Sequence, residues 1–172
     1  MTVIAAKFSK DKKTIVIGSD SQTTRGGQKF TPEDSTQVKS KVLKLEDNYA
    51  VACAGRVSEI SLFQRYCKRT KPKDATEDAI FDFMIDFKDW ITNKDKKFEF
   101  MSSYIIAYKG KLFTVIYGYQ VYEHLDYATG GSGQQCVNVA FALNQDVKTG
   151  IEMAIQHDLY CSGEICLIEV EV

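Results

Sequence analysis

Thr2 lies directly behind the initiator methionine, where its hydroxyl and a free α-amine could act together as a nucleophile and its base. The residue begins the apolar run 2–6. A methionine that precedes a small residue is readily removed, so we expect Thr2 to become the first residue. A hydroxyl is a weak nucleophile at neutral pH and needs a neighbouring base. An α-amine, with a pKa of about 7.7–8.0, provides that base within the same residue. Retention of Met1 would turn the amine into an amide and abolish this chemistry.

Two charged residues at the ends of apolar runs are candidates for setting the electrostatics around that hydroxyl. Asp20 follows the run 14–19, where an acid either forms a turn or holds a neighbouring cation. Lys41 begins the run 41–45, and strand alternation places it on the same face as Leu43. Lys41 is either an exposed edge lysine or a partly buried ammonium that lowers the proton affinity of a neighbouring amine or hydroxyl. The sequence leaves both alternatives open.

Three further positions carry groups that acyl-transfer chemistry can use. Gly55 follows the run 49–54 and either makes a turn or presents its backbone N–H to a developing oxyanion. Ser132 lies between two glycines before a helical pattern. That stretch lacks both the dinucleotide fingerprint and the phosphate-loop lysine, so nucleotide binding is not favoured. Asp158 falls at the end of the last predicted helix, where a carboxylate is poorly placed for the helix dipole. It either bonds a hydroxyl or marks a misplaced helix boundary.

Composition narrows the classes of function. The chain has 172 residues, a net charge of −1, 44% hydrophobic and 26% charged residues, so neither nucleic acid nor an anionic membrane is an expected partner. Its five cysteines show no CxxC spacing and suggest reduced thiols in a cytoplasmic protein. No run approaches the ~18 apolar residues of a membrane helix, and no signal peptide is recognisable. With two histidines, neither a metal site nor another cofactor is expected.

Short apolar runs rich in β-branched residues predict strands, and apolar residues at helical spacing predict helices. The predicted strands cover residues 2–8, 14–19, 41–45, 49–54, 101–109, 111–117, 119–124 and 165–170. The predicted helices cover residues 57–69, a segment capped by Asp74, a segment opened by residues 130–133, and residues 147–160. Residues 22–37 predict a long polar loop. Because strands and helices occur in blocks, the order predicts an α+β fold of two antiparallel sheets with helices outside, in one domain over residues 1–172.

The helix after Asp74 has the clearest pattern in the chain. Asp74 followed by Glu77 three residues later is typical of a capping box. Its apolar positions form one continuous stripe that predicts core packing rather than a cofactor site: Ile80, Phe83, Met84, Phe87 and Ile91.

The order of these features resembles the proteasome β-subunit and HslV family of N-terminal-nucleophile hydrolases over nearly the whole chain. The matching stretches are residues 2–4, 18–20 with 23–24, 41–42 with 44–45, 52–55, 131–133 and 157–163. Each stretch is short, and their joint order and spacing carry the resemblance. It implies a four-layer αββα sandwich, the N-terminal-nucleophile hydrolase fold, and a threonine endopeptidase that cleaves peptide bonds by acyl transfer to Thr2.

The resemblance implies catalytic roles at six matching positions: Thr2, Asp20, Lys41, Gly55, Ser132 and Asp158. The threonine corresponds to the nucleophile, and its α-amine to the general base. Asp20 and Lys41 correspond to the pair that sets the electrostatics around that amine. The Gly55 N–H corresponds to the oxyanion donor. Ser132 and Asp158 correspond to a hydrogen-bonding pair that positions the nucleophile and its protons.

The resemblance also assigns substrate-binding positions and shows departures from the family. Thr24, Cys53 and Val57 fall among the substrate-binding residues, and Cys53 implies a medium-sized apolar side chain in the substrate. Cys161 stands where the family has a further serine, with Ser162 next to it, and a thiol is a weaker hydrogen-bonding group than a hydroxyl. The loop over residues 22–40 is longer than is usual in the family.

Assembly and two alternative functions complete the predictions. The resemblance implies a homo-oligomer, as a ring or stacked rings, that acts on protein or peptide, and by analogy an ATP-dependent unfoldase as partner. Aromatic residues within 117–122 are candidates for the contact between copies. A non-catalytic assembly subunit and a small-molecule amidase of the same fold stay open. The peptidase hypothesis requires that the predicted catalytic residues converge on Thr2.

Overall fold

Two antiparallel sheets, packed face to face with helices on both outer sides, make up the computed structural model. It describes residues 2–25, 28–30, 40–93, 96 and 98–172, and for residues 24–25 and 28–30 it describes the backbone alone. The strands within these residues are β1 (Val3–Phe8), β2 (Thr14–Asp20), β3 (Thr23–Arg25), β4 (Gln28–Phe30), β5 (Val42–Glu46), β6 (Tyr49–Ala54), β7 (Ser103–Tyr108), β8 (Lys111–Ile116), β9 (Gln120–His124), β10 (Tyr127–Gly131) and β11 (Ile165–Glu171). The helices within them are α1 (Val57–Cys67), α2 (Glu77–Thr92), α3 (Gln134–Ala142) and α4 (Val147–His157).

Strand pairing defines two main sheets in the described residues. The N-terminal sheet has the order β10-β1-β2-β11, and the central sheet has the order β5-β6-β7-β8-β9. In the N-terminal sheet, Ile4 pairs with Ser19 of β2 and with Gly130 of β10. This register brings the first residues of β1 beside the last residues of β2. Thr2 and Asp20 therefore share one end of the N-terminal sheet.

Strand alternation divides the side chains between three buried cores. Ile4 of β1 and Ala52 of β6 belong to the core between the two sheets. Val3 of β1 packs in a second core with α3 and α4, and Val51 of β6 packs in a third with α1 and α2. The layers therefore run α1 and α2, central sheet, N-terminal sheet, α3 and α4. This arrangement confirms the predicted α+β fold of two antiparallel sheets flanked by helices.

The apolar stripe of α2 is core, as predicted. Its five residues are 4% exposed or less, and burying each such side chain contributes about 1.5–3 kcal/mol relative to leaving it in water. Phe87 contacts Phe63 of α1 edge to face, with ring centroids 5.0 Å apart. Aromatic pairs of this kind fix how α1 and α2 sit on the central sheet.

The predicted cap of α2 is wrong. Thr76, not Asp74, is the N-cap, and its Oγ1 accepts a hydrogen bond from Ala79 N at 3.2 Å. Asp74 Oδ1 instead accepts from the N–H of the next residue at 2.8 Å, which turns the chain two residues before the helix begins. Glu77 does not close a capping box on Asp74, because its Oε1 accepts from Glu123 N at 2.9 Å.

A strand was missed before α3. Gly130 and Gly131 were predicted to open a helix, but they end β10, and α3 begins at Gln134 with Gly133 as its N-cap. A Cβ at Gly130 would lie 3.1 Å from Ile4 Cγ1. The glycines allow β10 to approach β1 closely, which overrides the low strand propensity of glycine.

Several boundaries also differ from prediction. Within the predicted loop 22–37, β3 and β4 form an antiparallel pair, and residues 26–27 and 31–39 lie outside the described residues. α1 ends at Cys67, and α4 ends at His157, so that Asp158 is the C-cap of α4. None of the helices in the described ranges is long and apolar enough to cross a bilayer.

Candidate active site

Thr2, Asp20 and Lys41 meet in a buried cluster at one end of the N-terminal sheet. Thr2 Oγ1 donates a hydrogen bond to Asp20 Oδ1, and Lys41 Nζ donates to Thr2 Oγ1. Lys41 Nζ also donates to Asp20 Oδ1 at 2.7 Å. The three residues are 3%, 0% and 6% exposed. Of the two alternatives for Lys41, the structure therefore shows the buried ammonium.

Backbone amides from separate segments hold the Asp20 carboxylate in place. Oδ1 accepts from Val3 N at 3.0 Å, and Oδ2 accepts from Gln22 N at 3.2 Å and Ser162 N at 3.3 Å. A buried carboxylate is costly unless it is paired and hydrogen-bonded. Asp20 satisfies both conditions, so it can carry its charge beside the Thr2 hydroxyl.

Lys41 enters this cluster from the other sheet. Its backbone oxygen accepts from Cys53 N at 2.9 Å, which continues the pairing of β5 with β6. Burial lowers the pKa of Lys41, and the neighbouring Asp20 carboxylate opposes that effect. The Lys41 amine therefore releases its proton at lower pH than an exposed lysine, while its charge favours an ionised Thr2 hydroxyl.

Ser132 lies beside the Thr2 backbone, and Asp158 lies beside Ser132. Ser132 Oγ lies 3.4 Å from Thr2 O and 3.4 Å from Asp158 Oδ1, which is long for hydrogen bonds between oxygens. Asp158 Oδ1 also accepts from Tyr160 N at 2.7 Å. The structure thus brings Ser132 to the Thr2 carbonyl group and Asp158 to Ser132.

Gly131 allows the end of β10 to lie very close to Thr2. It has φ of +87°, a conformation that favours glycine. A Cβ there would overlap the Thr2 carbonyl group and lie 3.4 Å from Ala54 Cβ. Gly131 therefore lies close both to the Thr2 carbonyl group and to Ala54 at the end of β6, and Gly55 follows Ala54 directly.

Cys161 and Ser162 lie next to the cluster, where the first contacts Ser132 and the second contacts Asp20. Cys161 is 2% exposed. Burial, together with the Asp20 and Asp158 charges, raises the pKa of its thiol to about 12, and a hydrogen bond with Ser132 works against this increase. Ser162 Oγ donates to Gln22 Oε1 at 2.6 Å. The support that Ser162 N and Gln22 N give to Asp20 was not predicted, because backbone donors leave no signal in residue types.

The predicted substrate-binding residues differ in their surroundings. Val57, the first residue of α1, is 47% exposed, whereas Cys53 is fully buried in the core with α1 and α2. Burial raises the pKa of the Cys53 thiol well above its ordinary value. The side chain of Thr24 lies outside the described residues. Within the described ranges, no group of three or more His, Cys, Asp or Glu side chains is arranged to hold a metal ion.

The fold and the cluster define a four-layer αββα protein with a threonine at the edge of its sheets. Comparison with solved structures finds the same fold in BPH from Thiobacillus denitrificans in complex with epoxomicin, at a TM-score of 0.82 and 17% identity, covering 99% of this chain and 98% of that one. Eukaryotic HslV from Trypanosoma brucei matches at a TM-score of 0.66 and 17% identity, covering 99% of this chain and 100% of that one. No family model and no curated protein matches the sequence. The resemblance to the proteasome β-subunit and HslV family is thus confirmed at the level of fold.

Proposed function

We propose that this chain is a threonine peptidase of the N-terminal-nucleophile type, active once Met1 has been removed. The observation that carries the proposal is the Thr2 hydroxyl bonded to both members of the buried Asp20–Lys41 pair. A buried ion pair is weak evidence for stability. A hydroxyl held between the two charges is suited to act as a nucleophile, because a nearby cation favours its ionised form.

The reaction would be acyl transfer to Thr2. Thr2 Oγ attacks the carbonyl carbon of a peptide bond while its proton passes to the α-amine of the same residue. The Gly55 N–H donates to the oxyanion that forms. The intermediate collapses as the leaving amine takes up the proton, which leaves an ester on Thr2. Water then attacks the ester, again with the α-amine as base, and regenerates the hydroxyl.

Two similar structures support the proposal, because they share this fold and their descriptions point to this type of protein. One similar structure is a complex with epoxomicin, and another is an HslV protein. We extend the proposal to a cytoplasmic homo-oligomer, as a ring or stacked rings, that cleaves protein or peptide substrates. An ATP-dependent unfoldase as partner is proposed by the same analogy.

The test begins with the intact mass of protein expressed without an N-terminal tag. We expect a mass that lacks methionine, hydrolysis of a fluorogenic peptidyl aminocoumarin with leucine at the cleaved bond, and an epoxomicin adduct on the peptide that begins at Thr2. Thr2→Ala should abolish hydrolysis and labelling, whereas Thr2→Ser should retain both in part. Retained methionine in inactive protein, or hydrolysis that survives Thr2→Ala, would overturn the proposal. The first of these results would favour the non-catalytic assembly subunit.

A further inference from the structure

The backbone at Gly55 is held by its contact with Ser102. Gly55 has φ of +143°, and a Cβ there would lie 2.7 Å from both Cα and Cβ of Ser102. Ser102 Oγ accepts a hydrogen bond from Arg56 N at 3.2 Å. Ser102 thus packs against Gly55 and accepts a hydrogen bond from Arg56. These contacts fix the chain on the C-terminal side of Gly55, directly after the Ala54–Gly55 peptide whose N–H the proposed function assigns to the oxyanion.

Ser102 is in turn held by a buried carboxylate. Glu59 is 1% exposed, and its Oε1 accepts from Ser102 N at 3.2 Å. Its Oε2 accepts from Met101 N at 3.2 Å. Tyr104 OH donates to Oε1 at 2.7 Å. The carboxylate therefore binds two backbone N–H groups just before β7 and one side-chain hydroxyl from that strand.

Glu59 lies in the first turn of α1, four residues after Gly55. A carboxylate there is favoured by the helix dipole, but burying it still requires donors on its oxygens. Glu59 makes no direct contact with Thr2 in the hydrogen bonds described. Its link to the candidate active site runs through Ser102 to the peptide of Gly55 and Arg56.

We propose that Glu59 is a positioning residue for the oxyanion donor: by holding Ser102, it fixes the direction of the Gly55 N–H. This inference rests on the proposed function. Preorganised donors contribute to catalysis only while they are aimed at the developing charge, and displacement by about 1 Å can cost about a hundredfold in rate. Loosening Ser102 should therefore slow the chemical step and leave substrate binding unchanged.

Two variants test the role, and a third is a matched control. Glu59→Gln keeps the shape but turns an NH₂ group toward backbone N–H donors. Ser102→Ala removes the oxygen that accepts from Arg56 N and that also hydrogen-bonds the Tyr104 hydroxyl. Thr114→Val removes a buried hydroxyl of β8, 7% exposed, which bonds His124 Nε2 at 2.8 Å rather than Glu59 or Ser102. The measurements are kcat and KM for the leucyl aminocoumarin substrate, the Ki of a peptide aldehyde, and Tm. The aldehyde forms a tetrahedral adduct whose oxygen occupies the oxyanion position.

For Glu59→Gln and Ser102→Ala, we expect kcat to fall about tenfold or more, which is part of the effect of removing an oxyanion donor. The aldehyde Ki should rise in proportion, with KM unchanged. Thr114→Val should change kcat by less than about twofold even if Tm falls. If Glu59→Gln does not fold, Ser102→Ala decides the question. If hydrolysis depends on Thr2 but both variants keep the parent kcat and Ki, the positioning role is wrong and the proposed function stands. Hydrolysis that is absent, or that survives Thr2→Ala, overturns both.

Discussion

At the scale of single residues, Lys41 has the most consequential environment in the molecule. It is 6% exposed and bonded to both Thr2 Oγ1 and Asp20 Oδ1. Burial lowers its pKa, and a positive charge at this place also lowers the proton affinity of an adjacent amine. Two ionisations should therefore limit the activity, one at the α-amine of Thr2 and one at Lys41.

We expect a bell-shaped dependence of kcat/KM on pH. The rising limb reports deprotonation of the α-amine and should lie at or below about pH 7.7–8.0, because the Lys41 charge disfavours the protonated amine. The falling limb reports loss of the Lys41 proton and should lie below the ordinary lysine value of 10.5, since burial lowers this pKa. The measurement is kcat/KM from pH 5 to 10.5.

Lys41→Arg is the matched variant for the falling limb, because a guanidinium stays charged over this range. If Lys41→Arg retains measurable activity, the falling limb of its pH profile should disappear. A falling limb at the same pH in both proteins would show that another group is responsible.

The free energy of unfolding should depend on the Lys41 ionisation in the opposite direction from the activity. Between the lowered pKa and 10.5, native Lys41 binds fewer protons than it does in the unfolded chain, so its contribution makes the free energy of unfolding rise with pH.

Cys161→Ser should raise kcat. The hydroxyl bonds Ser132 more strongly than the thiol does, and one improved hydrogen bond of about 0.5–1.5 kcal/mol corresponds to a gain of about two- to tenfold. Steady-state kinetics of the parent and Cys161→Ser check this. Cys161→Ala, which removes the bond, is the control and should be slower than the parent. Equal rates for all three would exclude Cys161 from the hydrogen-bonding network.

The residue types at this site were predictable, and their contacts were not. Thr2, Asp20 and Lys41 stood out because each has a charge or hydroxyl beside an apolar run. Whether Lys41 was buried depended on the packing of one sheet against the other, which no local pattern contains. The roles of Ser102 and Ser162 depend largely on backbone position. Glu59 was not singled out from the sequence, because an acid in the first turn of a helix is common.

At the scale of elements, β10 shows how tertiary packing can override local propensity. Its last residues, Gly130 and Gly131, are poor strand formers by type, yet both pair with β1. Periodicity predicted α2 and its buried face because that helix has one apolar stripe. It missed β10 because the reason for these glycines lies in Ile4 and Thr2, far away in the sequence.

Gly131→Ala should disable the candidate active site. Gly131 has φ of +87°, and an added Cβ would overlap the Thr2 carbonyl group. Gly118 is the matched control, with φ of +77° and no heavy atom within 4 Å of an added Cβ. Both variants incur about 1–2 kcal/mol for the left-handed conformation, but only Gly131→Ala should displace Thr2.

We therefore expect urea unfolding to show a larger loss of stability for Gly131→Ala than for Gly118→Ala. Labelling by epoxomicin should be lost in Gly131→Ala alone. Equal stability and equal labelling of the two variants would contradict the close approach of β10 to Thr2.

At the scale of the whole molecule, exposed apolar side chains distinguish two surfaces. Tyr117 and Tyr122, around the β8–β9 turn, are 79% and 47% exposed, and Val139 and Leu143 of α3 are 53% and 63% exposed. Apolar side chains that lie together on a surface are typical of protein–protein contacts. The sequence pointed to residues 117–122, and that surface stays our prediction for the contact between copies.

We expect light scattering to give a mass that is a multiple of 19.4 kDa at micromolar concentration. Tyr117→Asp should shift that mass toward the monomer, because it places a charge within the predicted contact. Leu143→Asp is the comparison on the other surface and should leave the mass unchanged. Dissociation by Leu143→Asp alone would assign the contact to α3, and a monomeric parent would contradict the predicted assembly.

The two sheets share the candidate active site between them. Thr2 and Asp20 belong to the N-terminal sheet, whereas Lys41 and Gly55 extend from strands of the central sheet. Neither sheet carries the full constellation, so under the proposed function a newly made chain would become active only when the layers stack. Incomplete folding intermediates would then be unable to digest their neighbours. During refolding from urea, hydrolysis should recover after the far-ultraviolet circular dichroism signal and together with tertiary packing.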